Sequence, residues 1–348
     1  MSIDAGTKSI GSEFSGEIPP ELRGGEGDVP PGIGPYELAW RRLRRNRVAL
    51  AFGGLFLLMV VLCLLAPVYA HDIAHTTPAA ENITGTVKVG GKNEYIVSLI
   101  GIPIGPTWHS HYFLGADANG RDVAVRLLYG GRNSLQIGFV ATFITMIMAT
   151  ILGIAAGYFR GLTDGVISRG LDVIWAFPAV LLGVALGVTL AVSGIDIGPI
   201  KISGNSLFVP AFIVGFVTIP YVAKPIRAQV LQMRDREFVD AARQLGLGHI
   251  RIMFGEVVPN IASTIIVFIP LILANAILTE AGLSYLGAGV QPPNPSWGTM
   301  IASGVDEIPA AIHLTIVPGI MLLLTVLGIN VFGDGVRDAL DPKAKVRV

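Results

Sequence analysis

Apolar and polar positions fall into long blocks along this chain instead of alternating. Six apolar runs stand out, at 48–70, 135–159, 173–193, 207–225, 257–283 and 312–332. Each approaches the roughly 20 residues that carry a helix across a bilayer. None has the period of two that a barrel strand needs, and backbone groups in hydrocarbon must pair internally, so the runs predict transmembrane helices. Pro178, Pro210, Pro220, Pro270 and Pro318 lie inside these runs or near their ends. They predict kinks, not breaks, where neighbours satisfy the freed carbonyls. Gly153–Gly157 and Gly183–Gly187 are small-residue pairs at helical spacing; they predict close helix packing within the chain, in preference to a dimerisation face.

The basic residues orient the runs. Of 25 Lys and Arg, 19 fall before the first run, between the second and third, between the fourth and fifth, or after the sixth. Lys224 and Arg227 belong to that third group, read as loop residues. By the positive-inside rule both termini are cytoplasmic, and an even number of crossings agrees. Residues 1–35, rich in Gly and Pro without an apolar period, read as a disordered cytoplasmic tail. The first apolar run starts too late and is too long for the core of a signal peptide. Residues 36–134 form a basic segment, the first crossing and a long external loop. Residues 135–333 form a five-helix core with a cytoplasmic loop at 227–259. Residues 334–348 form a cytoplasmic tail. Within the external loop, Thr, Val, Ile and Tyr flank Gly90-Gly91 over 83–99, which predicts a small hairpin.

Composition narrows the function classes. The chain is 52% hydrophobic and 14% charged, with no net charge and a mean hydropathy of +0.63. Soluble domains carry about 25% charged residues, and a nucleic-acid binder would need a basic surplus. A single cysteine, Cys63, rules out a disulfide framework or thiolate metal cluster within the chain. No Walker A, H-E-x-x-H or G-x-S-x-G pattern occurs, so ATP-derived energy must come from another chain. His71, His75, His109 and His111 have spacings that a metal could use, but Asp72 is the only evident carboxylate beside them; no metal site is read there.

Residues 229–245 are helix-compatible, with Val230, Met233, Phe238, Val239, Ala242 and Leu245 apolar, and Gly246 and Gly248 supply a stop. Such a helix either seats in another protein's cleft or lies flat at the membrane surface; spacing alone leaves both open. Asn275, Thr279 and Glu280 on the fifth run are candidates for lining a passage. The plainer alternative is that Asn275 and Thr279 bond a neighbouring helix, while Glu280 pairs locally at headgroup level. Gln291, Pro293 and Trp297 mark a stiff external loop, which either touches an external protein or anchors at the interface. Asp117, Arg121, Asp122 and Arg132 crowd before the second run, and tight turns at Gly115 and Gly120 favour an internal salt-bridged cap.

The spacing Asp240-Ala241-Ala242, then Gly246, then Pro259 resembles the "EAA loop" of bacterial ATP-binding-cassette (ABC) importer permeases. It departs from that pattern with Asp240 for Glu, Glu256 for Ile and Val258 for Leu. Three further segments resemble the C-type permeases of the dipeptide, oligopeptide and nickel branch. They run Leu114-Gly-Ala-Asp-Ala-Asn-Gly-Arg-Asp122 with Tyr129-Gly-Gly-Arg-Asn-Ser-Leu135, then Glu280-Ala-Gly-Leu-Ser-Tyr-Leu-Gly287 with Gln291 through Gly298, then Gly333 through Pro342. Branch members usually have His where Glu256 stands. The resemblance implies an all-α, six-helix type I permease of the bacterial cytoplasmic membrane, with no catalytic site. It implies a heterodimer with a second homologous permease, two ATPase subunits that hold ATP and Mg²⁺, and an external substrate-binding protein. It further implies that Glu237, Asp240, Ala241, Ala242 and Gly246 couple to an ATPase. The implied cargo is a di- or oligopeptide, with nickel or an oligosaccharide as the alternative. A stand-alone channel or secondary transporter is the alternative of another class. Such transporters show repeats and midplane charges, and neither is found in the sequence.

Overall fold

The computed structural model describes residues 34–109 and 111–341; the tail expected at 1–33 and residues 342–348 lie outside it. Helix α1 (Pro35–Arg45) leads into α2 (Arg47–Leu64), whose N-cap Asn46 accepts a hydrogen bond from Ala49 N–H. A short α3 (Ala66–Val68) and a wide turn (Tyr69–Ile73) extend it. The expected hairpin is present: β1 (Thr86–Val89) pairs antiparallel with β2 (Lys92–Tyr95), and Gly90 and Gly91 take the positive φ that its turn requires.

Helices α4 (Val123–Phe159), α5 (Gly161–Ala176) and α6 (Ala179–Ser193) follow, then a second, unexpected hairpin of β3 (Ile195–Ile197) and β4 (Ile200–Ile202). The chain continues through α7 (Phe208–Met233), α8 (Glu237–Gln244), α9 (His249–Ile252), a wide turn (Met253–Val257), α10 (Val258–Tyr285), α11 (Trp297–Val305), α12 (Ile308–Ala311) and α13 (His313–Leu340).

Among the described residues, five helical segments are long and apolar enough to cross a membrane: Arg47–Leu64, Val123–Phe159, Phe208–Met233, His249–Tyr285 and His313–Leu340. The third expected run, 173–193, is instead part of a bent pair. Phe177 is extended, as a residue before proline prefers, and α5 meets α6 at 87°. Pro178 therefore breaks its helix, whereas Pro210, Pro220, Pro270 and Pro318 stay within theirs.

Three boundaries also move. The second crossing starts at Val123, because Asp122 caps it through Val125 N–H. The fourth runs through Pro225 to Met233, so Lys224 and Arg227 are helical and not in a loop. The expected tail at 334–340 is the last part of α13.

The core is built on α4 against α7. A Cβ at Gly153 would meet Ala223 O at 2.8 Å, and one at Gly157 would meet Val230 at 2.7 Å. These backbones approach closely only because the side chains are absent. A Cβ at Gly187 would run into the carbonyl of Ala288, so both glycine pairs serve packing within the chain. Outside the bundle, Asp117 pairs with Arg121 at 2.8 Å and Arg126 at 3.4 Å, and Arg126 also donates to Pro78 O. That is the salt-bridged cap expected over the start of α4; Arg132 makes no ion pair in it.

Candidate functional site

Helix α7 ends at Met233, and Arg234–Arg236 turn the chain before α8 starts at Glu237. The helix expected over 229–245 is thus two helices at an angle. Glu237 and Asp240 lie in the first turn of α8 and Arg243 in its last, the arrangement that a helix dipole favours. The end is a Schellman motif: Gly246 N–H donates to Arg243 O at 2.9 Å and Leu247 N–H to Ala242 O at 3.1 Å. Gly246 has φ +76°, a conformation that costs an L-residue about 1–2 kcal/mol.

One face of α8 is fixed to its own chain. Val239 and Ala242 are buried among Tyr158, Ile252, Met253 and Val257. Arg234 donates to Tyr158 O at 2.8 Å, Arg160 pairs with Asp235 at 2.6 Å, and the Tyr158 hydroxyl meets His249 Nδ1 at 3.1 Å. The other face is open. Glu237, Phe238, Asp240 and Ala241 are exposed, next to Leu245, Ile250 and Phe254. The five expected coupling residues are therefore divided: Ala242 points inward, Gly246 shapes the exit, and Glu237, Asp240 and Ala241 face outward. Phe238 and Leu245 read from the sequence only as apolar positions of the expected helix, and Ile250 and Phe254 are not singled out there, since an isolated apolar residue in a loop carries no signal of exposure.

Two of the three motif segments outside this loop meet at a second place, while the third packs elsewhere, with Gly333 against Pro270 and Gly335 against Ala49. Glu280 is fully buried, and Ser284 Oγ donates to its Oε1 at 2.6 Å. The hydroxyls of Ser134 and Ser296 flank the same carboxyl, while Oε2 has no direct hydrogen bond. Ser284 Oγ in turn accepts Val290 N–H at 2.9 Å. Trp297 is fully buried beside it, donates from Nε1 to Leu127 O at 3.1 Å, and fits because Gly131 has no Cβ. Two expectations are corrected by this packing. Trp297 touches neither an external protein nor the interface, and Glu280 lines no surface: it pairs locally, with Ser284, but inside the bundle and not at headgroup level. Asn275 is exposed and accepts from Thr279 Oγ1 at 3.3 Å. Gln291 is half-buried and ties back to Gly287 O and Gly289 O, and Pro293 is exposed. The rings of His75 and His111 lie 6.0 Å apart, and among the described residues no three His, Cys, Asp or Glu side chains gather as metal ligands.

Helix α8 is thus fixed inward and open outward, between two crossings. Residues 149–346 match the family described as binding-protein-dependent transport system inner membrane component. Residues 34–84 match the N-terminal TM domain of oligopeptide transport permease C. The chain belongs to the binding-protein-dependent permease family.

The permease is 34% identical to a glutathione transport system permease protein of Pectobacterium atrosepticum, over 89% of this chain and 92% of that one. It is 33% identical to a dipeptide transport system permease protein of Alkalihalophilus pseudofirmus, over 90% and 91%. A di/tripeptide transport system permease protein of Pseudomonas aeruginosa is 36% identical, over 89% and 93%. A solved chain of the MetNI methionine ABC transporter overlays with a TM-score of 0.50 at 16% identity, covering 62% of this permease and 96% of that chain. That likeness concerns the fold. The permease is thus a multi-pass, all-α subunit of an ABC importer, and no stand-alone transporter is indicated.

Proposed function

We propose that this permease forms half of a passage for di- or oligopeptides in the bacterial cytoplasmic membrane, and that partner chains move it by hydrolysing ATP. The partners are a second, homologous permease, two ATPase subunits that hold ATP and Mg²⁺, and an external binding protein that delivers cargo. The single observation that carries the coupling role is the two-faced helix α8. A motor shifts a helix only if it binds one orientation better than another. The buried face of Val239 and Ala242 transmits such a shift to α4 and α7, and the open face of Glu237, Phe238, Asp240 and Ala241 is free to be gripped. Peptide cargo is supported by relatives at 33–36% identity that are permease proteins of glutathione, dipeptide and di/tripeptide transport systems.

The test is reconstitution in nanodiscs with the cognate partners, followed by a screen of peptides, Ni²⁺ and oligosaccharides for stimulated ATP hydrolysis. Stimulation by short peptides is the expected result. Stimulation by a sugar or Ni²⁺ alone overturns the cargo, and ATP hydrolysis indifferent to every cargo overturns the coupling.

A further inference from the structure

Helices α5 and α7 are held together by a ladder of contacts on a side of the bundle that the chain leaves uncovered. Trp175 stacks on Tyr221 at 4.8 Å between ring centroids. One turn further along α7, Lys224 pairs with Asp172 at 2.6 Å and sits over the Trp175 ring at 4.5 Å. A further turn on, Arg227 forms a bidentate pair with Asp164 at 2.5 and 2.7 Å. Tyr221 stands 13 residues from the external end of α7 at Phe208, about 20 Å down a helix at 1.5 Å per residue. The ladder therefore begins about two-thirds of the way across the roughly 30 Å of hydrocarbon and descends toward the cytoplasm. In this single chain Trp175 is 46% exposed and Tyr221 and Phe177 are each 55% exposed. With Pro178 and Pro220 they line a recess of about 250 Å³ at the α5–α6 bend.

Two independent costs exclude lipid as what covers this face. Charged side chains at membrane depth face a bundle interior or a water-filled cavity, and here the Lys224–Asp172 pair is presented outward, with the Arg227–Asp164 pair partly buried below it. In addition, Pro220 and Pro225 have no N–H, so the carbonyls of Phe216 and Tyr221 lose their helical donors. Hydrocarbon offers no replacement, whereas water does.

We infer that this α5–α7 face is a wall of the aqueous passage, and that the Lys224–Asp172 pair is a contact point for the charged ends of a zwitterionic peptide. The inference rests on the peptide-permease reading above and adds a location to it. A peptide's carboxylate competes with Asp172 for the Lys224 ammonium, its ammonium is met by Asp172, and the Trp175–Tyr221 shelf accepts an apolar or aromatic side chain. The contact is weak by design, since each charge already has a partner and cargo must leave as readily as it enters.

The test is thiol accessibility in the assembled complex on a Cys63→Ser background. Tyr221→Cys and Trp175→Cys are labelled with a charged, membrane-impermeant thiol reagent, beside Leu57→Cys and Leu323→Cys as apolar, exposed reference positions. The expected result is labelling at least tenfold faster at 175 and 221 than at 57 and 323. Equal rates overturn the wall. Dialanine at saturating concentration is expected to slow labelling of Tyr221→Cys several-fold more than dialanine amide does, and Lys224→Met is expected to abolish that difference. Equal protection by acid and amide, or a difference that survives Lys224→Met, overturns the contact. Labelling needs no turnover, so it separates this inference from the reading beneath it: a complex that labels as expected but is stimulated only by sugar leaves the wall standing and removes the peptide.

Discussion

Adjacent alanines on α8 have opposite surroundings, and this separates folding from coupling. Ala242 is 5% exposed and packed on the chain's own core, whereas Ala241 is exposed. Ala242→Trp forces an indole into a filled site and is expected to destabilise by about 1–3 kcal/mol or more, read as a lower thermal midpoint of the purified protein. Ala241→Trp is expected to leave that midpoint unchanged while abolishing ATP-driven uptake in the assembled transporter. Normal uptake with Ala241→Trp sinks the docking role of this face. At the external end, burial pushes the Asp122 carboxyl up, opposed by hydrogen bonds from Val125, Tyr112 and Ala124 N–H and by nearby His111. A carboxyl raised on folding contributes stability that is present below its unfolded pKa and is lost as pH rises through its folded pKa. Asn at this position keeps the cap but does not titrate. The thermal midpoint of the natural protein minus that of Asp122→Asn is therefore expected to grow as pH falls from about 7 toward about 4. A flat difference means that Asp122 has no net shift.

The elements divide by how local their causes are. The β1–β2 hairpin was legible because Gly90-Gly91 dictates the turn, and the apolar blocks of α2, α10 and α13 were legible because bilayer thickness dictates their length. Prolines were not. Pro178 ends α5 while Pro220, two crossings' worth of chain later, is absorbed within α7. Both lack an N–H; what differs is the surrounding packing, which local sequence does not contain. The ion-paired ladder was missed for a related reason. Counting the basic residues from Lys224 onward with the cytoplasmic loop placed Lys224 and Arg227 where paired charges are unremarkable. The motif at 280–298 was located by sequence, but its burial was not, because Glu280 and Trp297 are residue types that more often face water or an interface. The ladder's lowest contact makes a claim at this scale. Arg227→Met removes a bidentate pair that holds α5 to α7, which is worth about 1 kcal/mol. Amide exchange in α5 is expected to rise about fivefold while α4 stays protected. Unchanged exchange in α5 means that the helix is held by Trp175–Tyr221 and Lys224–Asp172 without help from Arg227.

At the scale of the molecule, one helix links the two sides. Helix α4 has 37 residues, about 55 Å at 1.5 Å per residue, far more than the roughly 30 Å of hydrocarbon. Its cytoplasmic end carries Tyr158, which bonds His249 and Arg234, lies under Arg243 of α8, and shares one buried cluster with Val239 and Ala242. Its external end carries Leu127 and Gly131 against Trp297, and Ser134 beside Glu280. A shift imposed at α8 is therefore delivered, without an intervening hinge, to the place where α10, α11 and the external loop are keyed to α4. Trp297 is the key. Trp297→Ala leaves Leu127 O without its indole donor and opens a cavity above Gly131, a loss of about 3–5 kcal/mol. Trp297→Phe keeps most of the volume and loses only the hydrogen bond, about 1 kcal/mol. If the key transmits motion as well as filling space, the milder Phe variant separates the two. It is expected to assemble and to hydrolyse ATP at the basal rate, with stimulation by peptide-loaded binding protein reduced several-fold. Full stimulation in a folded Trp297→Phe complex would show that α4 communicates by another route, leaving the indole a role in packing alone.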